Sequence, residues 1–209
     1  MSRSPDPSRK PELLAAIVDY LLDKPLATLS FRTVAAGLAV STYSLVYHFG
    51  TRDQLLHEVM GAVAERQDVV MPTVEAERGD IGEHVANIRR SWRLGLQPRS
   101  RQLLRLEFEA AMLESRETGP TRTRRMFARW HGAGAEALTR IGLARDEAVV
   151  EARVIVDTMY GLQYDLLVSG DEERASAAFE RAIDGYERRL RSLAGKPPAD
   201  ETMGGWPHR

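Results

Sequence analysis

Apolar residues in this chain recur at three- and four-residue spacings through almost its whole length. That period leaves room for little except packed helices. Residues 12–23 place Leu13, Leu14, Ile17, Val18, Leu21 and Leu22 on one face, and Pro25 stops the helix they form. Ser30 is positioned to cap a second helix carrying Phe31, Val34 and Ala35. Ser41 is positioned to cap a third, with Val40, Leu45 and Phe49 turned inward and Gly50 at its end. Thr51 and Gln54 form a capping-box pattern for a fourth helix, and Asp80 with Glu83 forms another after a Pro- and Gly-containing stretch at 72–82. Further helices are expected to about Leu96 and over 99–116, 121–141, 145–168 and 172–194. The last two of these are long. The helix over 145–168 bears two apolar stripes, one with Val149, Val156, Tyr160 and Leu167, the other with Val150, Val154, Gly161 and Val168. Such a helix must be covered on both sides. No strand-type alternation and no internal repeat interrupts the series, so the fold class is all-α with about nine helices.

Several functions are excluded early. The 209 residues include no cysteine, which removes disulfides, thiolate zinc sites and a cysteine nucleophile. The five histidines show no metal-binding spacing, and there is neither a Gly-rich phosphate loop nor a nucleophile elbow. The expectation is a protein that is not an enzyme and carries no metal or cofactor. No run of 18 apolar residues is present and the N-terminus is polar, so no membrane contact and a cytoplasmic location are expected. The net charge of −1 argues against coating of nucleic acid by bulk charge, while leaving a local basic face open.

The second and third helices are short and joined by Gly37-Leu38-Ala39-Val40, which is the helix-turn-helix pattern. With Val40, Leu45 and Phe49 inward, Thr42, Tyr43, Ser44, Tyr47 and His48 point outward. All five are hydrogen-bonding or aromatic and none is acidic, which suits a groove lined by phosphates and base edges. Met1 to Arg52 holds six basic and four acidic residues. Arg3, Arg9 and Lys10 supply a candidate arm, and Arg32 and Arg52 flank the short helices.

Ser30-Phe31-Arg32-Thr33-Val34-Ala35, Val40-Ser41, and Leu45 through Leu56 (LVYHFGTRDQLL) together resemble the signature of the TetR family of transcriptional regulators over about residues 9–60. Two positions depart from it: Ala39 stands where the family usually has glycine, and Val46 where it often has tyrosine. The resemblance implies a helix-turn-helix domain at 1–60, a ligand-binding and dimerisation domain at 61–194, and a tail at 195–209 expected to be disordered. It further implies a homodimeric one-component regulator, a repressor, which binds a near-palindromic double-stranded DNA operator and is released by a small-molecule effector. The DNA-facing set is then Ser30, Arg32, Ser41, Thr42, Tyr43, Ser44, Tyr47, His48 and Arg52, with Arg52 at the family's usual phosphate-contact position. Helices eight and nine would form the dimer interface. An all-α small-molecule- or partner-binding protein without specific DNA binding is the alternative.

Aromatic and sulfur-bearing residues of the second half suggest an apolar cavity between helices. Its candidate lining is Trp92, Phe108, Met112, Phe127, Trp130, His131, Met159, Tyr160, Gln163 and Tyr164. Most of these would serve equally well as core, and His131 is as readily a hydrogen-bonded core histidine. Arg116, Arg122, Arg124, Arg125 and Arg129 cluster at one helix start, either as solvated charge or as an attraction for an anionic ligand.

Overall fold

The computed structural model describes residues 9–70, 80–115 and 121–195. Arg3, most of the stretch expected as a boundary at 72–82, and the tail from residue 196 lie outside the described residues. Nine α-helices and one 3-10 turn make up the rest: α1 (Arg9–Leu21), the turn Leu26–Thr28, α2 (Phe31–Leu38), α3 (Thr42–Phe49), α4 (Arg52–Val70), α5 (Ile81–Gly95), α6 (Pro98–Glu114), α7 (Arg122–Arg140), α8 (Arg145–Ser169) and α9 (Glu172–Ala194). No strand occurs among the described residues.

The helix starts follow from local chemistry. Ser30 Oγ accepts from the Thr33 amide at 3.1 Å while Thr33 Oγ1 accepts from the Ser30 amide at 3.1 Å. Thr51 and Gln54 make the same reciprocal pair at 3.2 and 2.8 Å. Asp80 Oδ1 accepts from the Glu83 amide, and Asp171 Oδ1 from that of Arg174. Each bond satisfies an amide that the first turn of a helix leaves bare. The start of α7 is capped from a distance. Glu114, buried at the end of α6, accepts from the amides of Arg122 at 3.2 Å and Thr123 at 2.8 Å.

The chain divides into two compact units. The first holds residues 1–73, 90–130 and 167–169. Its core runs from Leu13, Ile17, Val18 and Leu21 of α1 through Val34, Leu45, Phe49, Leu55 and Val59 to Leu103, Leu106 and Ala110 of α6. Here α4 packs on α1, α3 and α6, and α2 packs on α1 and α3. The end of α1 is held by α6. Arg105 Nη2 donates to the carbonyls of Leu21, Leu22 and Lys24 at 2.9, 3.0 and 3.0 Å, and Glu109 accepts from the Leu26 amide. Asp19 receives both Arg66 and Arg99 at 2.6 Å. Burial opposes the charge on Asp19, yet these two guanidiniums keep its carboxyl below the ordinary value.

The second unit holds residues 74–89, 131–166 and 170–209. The buried stripe of α8 is Ala148, Ala152, Ile155, Met159 and Leu166, with Glu151 and Gln163 among them. This corrects the stripes read from the sequence: Val149, Val150, Val154 and Val168 are exposed. Alanines win the inward positions because they permit close approach. A Cβ added at Gly134 would already sit 3.1 Å from Ala152 Cβ. From α9, Phe179, Ile183, Tyr186 and Leu190 face inward as their spacing predicts. His84, Tyr186 and Glu151 are buried with them, and Arg189 reaches Glu151 from the surface. His84 Nε2 and the Tyr186 hydroxyl share a hydrogen bond of 3.1 Å, and Glu151 pairs with Arg189 at 3.3 Å. Burial pushes the His84 imidazole down to about 4. Burial, seconded by the Glu151 carboxylate, pushes the Tyr186 hydroxyl up. At the surface of this unit Arg89 bridges Glu180 at 2.9 Å and Asp184 at 2.7 Å.

Candidate nucleic-acid interface

The turn between α2 and α3 is tight because Ala39 takes the left-handed conformation, with φ of 52°. It is the one non-glycine residue with positive φ among the described residues. That conformation costs an L-residue about 1 kcal/mol. No glycine stands at this position. Instead Ala39 adopts the glycine-favouring conformation itself, and the Val40 amide closes the turn on the Ala35 carbonyl at 3.1 Å. Gly37 has a different task. A Cβ there would lie 2.0 Å from the Tyr20 ring, so glycine lets Tyr20 cross α2 and donate to the Thr33 carbonyl at 3.1 Å.

After the turn, Ser41 Oγ accepts from the Ser44 amide at 3.1 Å and starts α3. Leu45 and Phe49 anchor this eight-residue helix in the core, and Val40 is half-buried beside them. Tyr43 is 79% exposed, Tyr47 57% and Val46 48%, and Thr42 is exposed with them. These four stand at i, i+1, i+4 and i+5, so they form one continuous face. Ser44 and His48 are half-buried at its margin, and the His48 ring lies edge-on to Tyr47 at 5.1 Å. Val46 is the member of this face that the sequence reading left out. Its apolar side chain offered no chemical signal, and only the rotation of the helix exposes it.

The flanks are more structured than their composition suggests. Arg32 is exposed on the first turn of α2. Arg52 Nε donates to the Leu29 carbonyl at 2.8 Å, which ties the start of α4 to the segment before α2. Its Nη1 lies 3.8 Å from Asp53. Lys10 belongs to α1, where it pairs with Glu58 and lies 5.7 Å from the centre of the Phe49 ring. It is therefore a strut between helices and no part of a free arm. The hydroxyls of Ser30 and Ser41 are engaged as caps.

No protein-family model and no curated protein matches this chain. Solved structures do. A transcriptional regulator from Rhodococcus sp. Rha1 superposes with a TM-score of 0.71 at 20% identity, covering 90% of this chain and 99% of its own. A TetR-family member from Streptomyces coelicolor A3 gives 0.61 at 23%, covering 90% and 98%. The chain has the TetR-family fold. A TetR variant from Acinetobacter baumannii AYE, solved in complex with minocycline, gives 0.58 at 18%, covering 92% and 100%.

Within this TetR-type fold the ten residues expected to line a cavity fall in both units. In the first, Trp92 and Trp130 are buried, Phe108 and Phe127 half-buried, and Met112 is 64% exposed. The rings of Phe127 and Trp130 lie 6.0 Å apart. In the second, Met159 and Gln163 are buried, Tyr160 is half-buried and Tyr164 exposed. His131 Nε2 bonds Asp157 Oδ1 at 3.2 Å, so this histidine has a hydrogen-bond partner within its own unit. Two grooves in the structure are lined by other residues. One, of about 570 Å³, lies along Val149, Val150, Arg153, Val154, Asp157 and Thr158 of α8. The other lies between α4 and α7, along Gly61, Ala64, Glu65, Arg122, Arg125, Met126 and Arg129. No group of three metal-ligating side chains occurs among the described residues, and none of the described helices is long and apolar enough to cross a membrane.

Proposed function

We propose that this protein is a one-component transcriptional repressor that binds a near-palindromic DNA operator as a homodimer and is released by a small-molecule effector. The observation that carries this reading is the bare face of α3. A short helix, capped at its start and anchored by Leu45 and Phe49, presents Thr42, Tyr43, Val46 and Tyr47 to solvent. The side chains at the start of such a helix enter the major groove first. None of the four can grip guanine or adenine in the bidentate manner of arginine or asparagine. Hydroxyls that donate or accept, and a Val46 that meets a thymine methyl, give a half-site read through methyl groups and single hydrogen bonds. Arg32, His48 and the outer edge of the Arg52 guanidinium serve the phosphates, and Ser30 and Ser41 hold the helix starts in register.

A domain at 1–60 that reads DNA and one at 61–194 that binds effector and partner is the organisation we favour. The exposed valines of α8 support the dimer. An aliphatic stripe left bare on a single chain is covered in a two-fold assembly without any new sequence requirement. The candidate effector contacts are the residues named from the sequence, Trp92, Phe108, Met112, Phe127 and Trp130 in the first unit and His131, Met159, Tyr160, Gln163 and Tyr164 in the second. The minocycline complex of the Acinetobacter relative supports a ligand-responsive reading. The reading includes no enzymatic activity, no cofactor and a cytoplasmic location.

The test is selection of double-stranded DNA from a random pool, followed by anisotropy on the enriched sequence at two salt concentrations. A sequence with two related half-sites is expected. Replacing thymine by deoxyuridine at one half-site position should weaken binding to the wild-type protein, and weaken it less for Val46→Ala. No enrichment, with affinity equal to that for scrambled DNA, would leave the binding protein without DNA specificity as the better reading.

A further inference from the structure

The arginine cluster of α7 is not absorbed by the DNA-binding face. Arg122, Arg125 and Arg129 stand at i, i+3 and i+7 and share one stripe of the helix. Together with Gly61, Ala64 and Glu65 of α4 they line a groove of about 230 Å³ whose floor is Met126. Met126 is buried. The amides that open α7 are already taken by Glu114, so this groove presents side-chain guanidiniums and not a bare helix end. Among the described residues, the guanidiniums of Arg122 and Arg125 form no ion pair. Arg122 and Arg125 carry like charges on one stripe, and among the residues that line the groove Glu65 is the one carboxylate.

The α4 wall is shaped for one of these groups. A Cβ added at Gly61 would fall 2.4 Å from Arg122 Nη1. Glycine therefore lets the guanidinium lie against the α4 backbone, where a larger residue would push it away. A small enclosed space lined by Met60, Val63, Ala64, Glu107, Ala110, Thr123 and Met126 shares Arg122 with the groove, so on its inner side that residue meets apolar surface and the buried Glu107.

We infer that the groove between α4 and α7 is the binding site of a small organic anion, a carboxylate or phosphate ester, with the anionic group on Arg122 and Arg125 and the apolar part on Met126. Paired guanidiniums favour such groups by charge-assisted, forked hydrogen bonds. This names the chemical class of effector for the regulator proposed above and rests on that reading for its consequence. The ligand touches α4, the same helix whose first residue is Arg52.

Binding is tested without DNA. Inorganic phosphate, and a panel of aliphatic and aromatic carboxylates each paired with its neutral amide, are screened by thermal shift and titration calorimetry on the full chain. Carboxylates should raise the melting temperature where their amides do not. Arg122→Gln with Arg125→Gln should weaken the best anion by about tenfold or more. Gly61→Ala should weaken it too, by displacing Arg122, and serves if the double variant does not melt cooperatively. No difference between acids and amides, or wild-type affinity retained in Gly61→Ala and in the arginine variants, overturns the site. The two readings separate cleanly. Anion binding by a protein that selects no DNA would sink the regulator and leave the groove, whereas operator binding with no acid preference would sink the groove alone.

Discussion

The α3 face and the α8 face are both bare, yet they are bare in different ways. On α3 the exposed residues carry hydroxyls, with Val46 as the exception, and the helix behind them is fixed by caps and two core anchors. On α8 the exposed stripe carries the aliphatic Val149, Val150 and Val154, while behind it His84, Tyr186 and Glu151 are buried. The first unit spends its polar groups on helix ends and so presents a rigid surface that can make hydrogen bonds. The second buries a histidine, a tyrosine and a glutamate and leaves valines of α8 exposed. Hydroxyl-bearing surface can remain in water between encounters. An aliphatic stripe gains by being covered for good.

The sharpest way to break this contrast is to charge the aliphatic stripe. Val149→Glu with Val154→Glu should dissociate the dimer, at a cost on the order of 5 kcal/mol, because two-fold symmetry counts each substitution twice. Sedimentation would show monomers; an unshifted dimer would place the interface elsewhere.

The buried cluster comes next. His84 titrates near 6.5 in the unfolded chain but is held at about 4 when folded. Between these values the unfolded state takes up a proton that the folded state refuses. Stability is therefore full above pH 6.5 and falls as the pH drops toward 4, by about 3 kcal/mol. Denaturant titrations across that window should show the fall, and His84→Gln should flatten it. Parallel slopes would mean that the imidazole is not shielded.

On the other face, Tyr43→Ala and Tyr47→Ala should each cost about 1–3 kcal/mol of operator affinity and leave the melting temperature nearly unchanged. Arg52→Ala should weaken all DNA alike and lower the salt slope, the mark of a phosphate contact. The smallest effect lies in the turn. Ala39→Gly should raise stability by up to about 1 kcal/mol, since it relieves the left-handed strain; a loss would mean that the alanine methyl has a packing role.

The sequence made the helix starts readable, because a cap is a contact between residues three apart. Ser30, Ser41, Thr51 with Gln54, and Asp80 all cap as expected. It made the core of the reading helix readable for the same reason, through Leu45 and Phe49. It did not reveal Val46, whose exposure depends on how α3 is rotated in its socket. Nor did it reveal Glu114 as the cap of α7, the Gly61 and Arg122 contact, or the inward alanines of α8. Each of these depends on which helix lies opposite, and periodicity along one helix carries no information about its neighbour. The valines of α8 misled for a related reason. Apolar character reports what must be covered, without saying whether the cover comes from the same chain.

The grip of Arg105 on the last carbonyls of α1 has a consequence for synthesis. Its three acceptors, Leu21, Leu22 and Lys24, leave the ribosome long before α6 does. A nascent chain holding only α1 to α4 has every residue of the reading helix but lacks the clamp that closes its first helix. Under the function proposed above, the DNA-reading surface is completed late, after Pro98–Glu114 has emerged, and a fragment cut short of α6 is expected to be a loosened reader and not a portable one.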